Sequence, residues 1–243
     1  CKMKLFVTPP IAHLDLSLLG DKNFYILAQL YKKYPEYRIW VREVKKEGKY
    51  LILDNGAGDE GEVIEKEELL EIAGEIQPHE VIPTDVLFNQ QETIDNLFWF
   101  IKEKKKKSYM ENIKIFAVPQ GNTFEEYMNC YNTMIHMKDV SVIGLSKKTV
   151  PHVMIPDVEK DQGIEFSRNK LFNILRSAQQ LKKEIHCLGM GDPREYLMYS
   201  RCKLMRSTDS CYPILAAMNG IYLGDLTSGM RVPTPADYFE RTL

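Results

Sequence analysis

Aspartates recur in this sequence directly after short apolar runs, a placement where a carboxylate can do chemistry. Leu51-Ile52-Leu53 leads into Asp54-Asn55-Gly56-Ala57, Val81-Ile82-Pro83 into Thr84-Asp85, and a later run into Gly189-Met190-Gly191-Asp192. Another ends in Arg206-Ser207-Thr208-Asp209-Ser210, one in Pro119-Gln120-Gly121-Asn122, and one in Gly144-Leu145-Ser146. Carboxylates can act as nucleophiles or carry protons. The Gln120 carboxamide donates and accepts, which suits reading the edge of a flat heterocycle. Gly56, Gly121 and Gly144 lack a Cβ where such a ring would have to meet backbone, although plain loop glycine explains each of them as well. Any one of these aspartates is equally a turn residue or helix cap. Asp192 before Pro193 and Asp209 before Tyr212 to Met218 both fit a cap. Their joint recurrence is the argument for a site.

What must position these residues is an alternation of strands and helices. Apolar, β-branched runs at Lys4 to Thr8, Tyr50 to Asp54, Val81 to Thr84, Ile113 to Val118, Val140 to Gly144, Ile185 to Gly189 and Lys203 to Ser207 predict strands. Helical spacing fills residues 23 to 46, 65 to 77, 90 to 105, 123 to 138, 165 to 182 and 192 to 200, and resumes after 211. Repeated β-then-α demands a largely parallel sheet joined by right-handed crossovers. A doubly wound open sheet fits the alternation too, but it usually opens on a glycine-rich phosphate turn, and here the first turn is Thr8-Pro9-Pro10. The sequence therefore predicts a (β/α)8 TIM-type barrel, residues 1–243 forming one domain. Its eighth strand is hard to name and falls to Gly220 to Leu223 or Met230 to Pro233, which leaves the barrel irregular or incomplete at its C-terminal end. Barrel enzymes carry their chemistry on the loops after the strands, so the polar strand ends would share one rim.

Composition excludes several classes. The chain has 243 residues, is 44% hydrophobic and 27% charged, and so can bury a real core. Net charge is -2, giving no nucleic-acid signature from composition alone. Cys1, Cys130, Cys187, Cys202 and Cys211 stand singly, without zinc-site spacing, and read as reduced thiols of a cytoplasmic protein. No apolar run suits a membrane span. His13, His136, His152 and His186 lack partners at ligand spacing and read as structural. The run Lys102-Glu103-Lys104-Lys105-Lys106-Lys107 reads as a solvated helix end.

The ordered set Leu53-Asp54-Asn55-Gly56, Asp85, Val118-Pro119-Gln120-Gly121, Ile143-Gly144-Leu145, Gly189-Met190-Gly191-Asp192-Pro193 and Asp209 resembles the tRNA-guanine transglycosylases. The match runs from about residue 51 to 212. It departs from the family in lacking the second glycine of the first loop, the zinc-binding cysteines and the stretch after the nucleophile. A compact, zinc-free form is similar to the phage and bacterial branch that inserts 7-deazaguanines into DNA.

That resemblance implies a base-exchanging pentosyltransferase without metal or cofactor. Asp209 would attack the sugar as nucleophile and Asp54 would serve as general acid/base, while Asp85, Gln120, Gly121, Gly144 and Leu145 would hold the base. Its partners would be DNA, or alternatively tRNA, and a base such as 7-cyano-7-deazaguanine, in the cytoplasm of the cell or of a phage host. Arg194, Arg201, Lys203 and Arg206 would grip phosphates from the same rim. A deazapurine nucleoside hydrolase and a non-catalytic module binding modified nucleic acid are the competing expectations.

Overall fold

A computed structural model describes residues 3–15, 22–57, 64–156, 163–199, 203–221, 235 and 237–239. Eight parallel strands close into a barrel in simple chain order. They are β1 (Lys4–Val7), β2 (Asn23–Leu27), β3 (Tyr50–Asp54), β4 (Glu80–Val81), β5 (Lys114–Ala117), β6 (Val140–Leu145), β7 (Glu184–Cys187) and β8 (Met205–Ser210). Closure is made where β1 pairs with β8, Lys4 opposite Ser207 and Phe6 opposite Asp209. Outside the strands run α1 (Ala28–Lys33), α2 (Pro35–Lys46), α3 (Lys66–Ile76), α4 (Gln90–Lys105), α5 (Phe124–His136), α6 (Thr149–Met154), α7 (Ile164–Ser177), α8 (Pro193–Tyr199) and α9 (Tyr212–Met218). This is the (β/α)8 barrel the alternation predicts.

The eighth strand lies elsewhere than expected. It is β2, inside the stretch read as a helix from residue 23: Phe24-Tyr25-Ile26-Leu27 is buried on both faces and passes into α1 without a turn residue. Of the two C-terminal candidates, Gly220 sits in the turn after α9 and Ile221 lies outside any strand. Residues 222, 223 and 230–233 lie outside the described residues.

Local chemistry explains the helices. Pro35 opens α2, where its missing N–H costs nothing, and Tyr37, Trp40, Val41 and Val44 form the buried stripe. The Asn89 side chain accepts from Glu92 N at the start of α4, and the Thr123 side chain from Glu126 N at the start of α5. The lysine run closes α4 as a solvated end, Lys105 pairing with Asp139 and Lys106 with Glu103.

At the amino end of the barrel the interior is closed by a charged plug. Arg206 donates two hydrogen bonds to Glu80, at 2.5 and 3.0 Å, and the Tyr50 hydroxyl donates to Glu80 at 2.5 Å. Burial works to raise the Glu80 carboxyl, yet Arg206 and Tyr50 outweigh it and hold the group below the ordinary carboxylate range. Arg206→Ala should therefore destabilise the fold by about 2–3 kcal/mol, less than a wholly orphaned buried charge because Tyr50 still donates. A fall in the urea midpoint measures this, and an unchanged midpoint refutes it.

Candidate active site

At the opposite, carboxyl end, Asp209 ends a polar line that runs through the fully buried His186 and Ser207. Its Oδ1 accepts from Gly189 N at 2.8 Å and is bridged to His186 Nε2 at 3.0 Å. Its Oδ2 has no hydrogen-bond partner among the described residues, and the side chain is 12% exposed. The residue belongs to β8 itself, and its side chain does not cap α9. The cap position is Cys211, which makes no side-chain cap bond, and the preceding Ser210 Oγ accepts from Tyr212 N at 3.0 Å and donates to Met190 O at 2.6 Å.

Gly189 also carries Lys147. A Cβ on Gly189 would lie 2.5 Å from Lys147 Cδ and 3.2 Å from its Nζ, and the glycine has φ +61. The lysine, two residues past β6, thus lies across the very residue whose amide holds Asp209. A cation and a one-sided carboxylate share one edge of the mouth.

Asp54 ends β3, three strands away around the ring from β8, and its Oδ2 accepts from Gly56 N at 3.1 Å. Asp85 and Gln120 meet, as their neighbouring strand ends predict, but they meet each other. Asn55 Nδ2 donates to Asp85 Oδ1 at 2.7 Å, Gln120 Nε2 donates to Asp85 Oδ2, and the Thr149 hydroxyl and Phe88 N donate to Gln120 Oε1. Burial raises the Asp85 carboxyl above its ordinary range against the pull of the two amides. The expected base-reading pair is instead a clamp joining the loops after β3, β4, β5 and β6. Asp85→Asn sets an amide donor against amide donors, and should lower stability by about 1–3 kcal/mol, read as a reduced melting temperature. An unchanged melting temperature would show the clamp to be idle.

The other expected base contacts are spent on packing. A Cβ on Gly121 would fall 2.4 Å from Tyr127 N, so this glycine admits the first turn of α5. A Cβ on Gly144 would meet Phe116 at 2.7 Å inside the barrel. Leu145 is fully buried, and its carbonyl accepts from Leu188 N at 3.1 Å. The expected phosphate grip is also corrected. Because β8 begins at Met205, Lys203 and Arg206 lie at the amino end of the barrel, with Arg206 bound to Glu80. The Arg194 side chain and Arg201 lie outside the described residues.

Besides Lys147, three participants escape the sequence. His186, read as structural, faces the barrel interior and bonds Asp209. Ser207 stands opposite it in register and bonds its other nitrogen at 2.8 Å. The period-two pair Ser207 and Asp209, beside a histidine in the preceding strand, is the signal that could have found them. Arg168 of α7 is fully buried; it donates to Leu145 O at 3.4 Å, Leu188 O at 2.5 Å and Glu195 Oε2 at 2.5 Å. It thereby ties down the ends of β6 and β7 that lead to Lys147 and Gly189. Among the described residues no group of three or more His, Cys, Asp or Glu is arranged to hold a metal ion. No described helix is long and apolar enough to cross a membrane.

No family model matches the chain, and no curated protein sequence does. Solved structures do. A variant of the citrate synthase SbnG superposes with a TM-score of 0.57 at 9% identity, over 94% of this chain and 96% of that one. An HpcH/HpaI aldolase/citrate lyase family protein from Burkholderia cenocepacia J2315 superposes with a TM-score of 0.59 at 7% identity, over 90% of this chain and 92% of that one. At such identities the likeness establishes the fold. The neighbours are citrate synthase-like and aldolase/citrate lyase barrels, and they overturn the expected membership of the guanine transglycosylases. With it fall base exchange by a pentosyltransferase and its two alternatives, the nucleoside hydrolase and the modified-nucleic-acid module. The physical reason is visible in the clamp: Asp, Asn, Gln and Gly after strands satisfy one another as readily as they would a purine.

Proposed function

We propose that this chain is an enzyme of the carbon–carbon lyase or aldolase type, acting at the carboxyl mouth of the barrel on a small hydroxy- or oxo-carboxylate. The observation that carries it is the Asp209 carboxylate, with one oxygen held between the Gly189 amide and His186 and the other without a partner among the described residues, while Lys147 lies against that same Gly189. A carboxylate so fixed is set to take a proton from a substrate hydroxyl. As the proton leaves, the adjacent carbon–carbon bond breaks and its electron pair passes into an enolate, while the hydroxyl carbon becomes a carbonyl. Lys147 supplies positive charge for the substrate carboxylate and for the enolate oxygen. Asp54, partly exposed across the mouth, is assigned the second proton transfer, from its protonated form to the enolate carbon, after which the proton on Asp209 passes to water and Asp54 regains one from water. The names of the fold neighbours, a citrate synthase and an aldolase/citrate lyase family protein, support this chemistry by analogy of scaffold.

The test is a panel of hydroxy- and oxo-carboxylates incubated with the protein in both cleavage and condensation directions, with products identified by mass spectrometry. Release of a carbonyl product by the native protein, absent with Asp209→Asn, supports the proposal. Turnover equal in the two proteins, or none across the panel, overturns it.

A further inference from the structure

We infer that His186 is a positioning residue, held as its neutral Nε2–H tautomer by a one-way column of hydrogen bonds that begins at Arg206 and ends on Asp209. The direction of the column follows from what each group can do. A guanidinium N–H can only donate, so Arg206 Nε, 3.0 Å from Ser207 Oγ, makes that oxygen an acceptor. The Ser207 hydroxyl proton has no acceptor among the described residues except His186 Nδ1, 2.8 Å away, which makes Nδ1 the acceptor. A neutral ring that accepts at Nδ1 carries its proton on Nε2, and Nε2 lies 3.0 Å from Asp209 Oδ1. Every link thus points toward the rim. Arg206 is anchored at the start by its paired bonds to Glu80.

The surroundings favour the same state. His186 is fully buried, with the rings of Phe116, Phe6 and Tyr25 centred 5.0, 6.0 and 6.0 Å away. The charged groups facing it are Asp209 at one end and Arg206 with Glu80 at the other. Burial pushes the ring's proton affinity down, and this outweighs the opposing pull of Asp209. An imidazolium would make Nδ1 a second donor to the serine oxygen, and the Ser207 hydroxyl proton would then have no acceptor among the described residues.

The consequence is that Oδ1 of Asp209 is permanently occupied and only Oδ2 can work. This consequence rests on the proposed role of Asp209, whereas the tautomer does not. The test is nitrogen NMR of the 15N-labelled imidazole in the full chain across acid and neutral pH, for the native protein and for Ser207→Ala. The native ring should show a single Nε2–H tautomer, neutral at pH 7 and below its ordinary pKa of about 6.5. Ser207→Ala should show mixed tautomers or protonation near neutrality. A native ring that is protonated at neutral pH, or carries its proton on Nδ1, overturns the inference, as does a Ser207→Ala ring identical to the native one. Kinetics then separate the two ideas: Ser207→Ala should lower kcat roughly tenfold with KM unmoved, and Ser207→Thr should restore it. If the NMR result holds while Asp209→Asn retains full turnover, the reading of Asp209 as base fails and the column stands.

Discussion

Asparagine in place of Asp209 will lower turnover by about a thousandfold and leave the melting temperature almost unmoved. The two effects separate because the two oxygens of this carboxylate have different tasks. Oδ1 accepts from Gly189 N and faces His186 Nε2, and an asparagine carbonyl oxygen can keep both of those bonds. Oδ2 has no partner among the described residues, and in asparagine it becomes an NH2 that cannot take a proton. Alanine gives the contrasting result. It removes the acceptor and leaves the fully buried His186 donor without one, at a cost of about 1–3 kcal/mol. Asp209→Ala should therefore be both inactive and less stable, and Asp209→Asn only inactive. Thermal melts and turnover with the same substrate check the pair. Equal stability of the two variants would show that the Oδ1 bonds carry no weight, and an active Asp209→Asn would remove the residue from the chemistry.

The parts of the molecule legible in the sequence are those governed by local rules. Parallel strands buried on both faces read as apolar runs, so β3, β5, β6 and β7 stand out, and the alternation with amphipathic helices points to the barrel. The segment β2 was hidden because Phe24 to Leu27 flows into Ala28 to Lys33 with no glycine, proline or polar break between them. Asp209 was legible as a strand-end carboxylate. Arg206 was misplaced because β8 starts two residues later and ends three residues later than its apolar content suggests, which sends this arginine to the far end of the barrel. His186 acquires its meaning from a neighbouring strand's register, and no spacing along its own segment records that. Asn55, Asp85 and Gln120 mislead for the opposite reason. Their residue types suit a ligand and suit each other, and only the distances decide.

Glu195→Ala will destabilise the protein by about 3–5 kcal/mol, and replacing both Glu195 and Arg168 by apolar residues of similar volume will restore stability without restoring full activity. The first half follows from burial. The side chains of Arg168 and Glu195 are 0% and 1% exposed and meet at 2.5 Å, so removing the carboxylate strands a guanidinium where no water reaches it. The pair is also imperfectly satisfied, since Arg168 Nε and Glu195 Oε1 have no hydrogen-bond partner among the described residues. A methionine at 168 with a leucine at 195 would remove both the charges and those unsatisfied atoms, which is why stability should return. Activity should not return with it. Arg168 also donates to the carbonyls of Leu145 and Leu188, the last fixed points before Lys147 and Gly189, and methionine has no donor to offer them. The Leu188 carbonyl would be left without its donor, the Leu145 carbonyl with only Leu188 N, and the two loops loosened. A shift of even an ångström in the Gly189 amide disturbs the bond that holds Asp209, and misplacement of that size can cost about a hundredfold in rate. The double variant should thus unfold at a denaturant midpoint well above that of Glu195→Ala while its kcat stays well below that of the native chain. Recovery of kcat along with stability would show that Arg168 serves the fold alone.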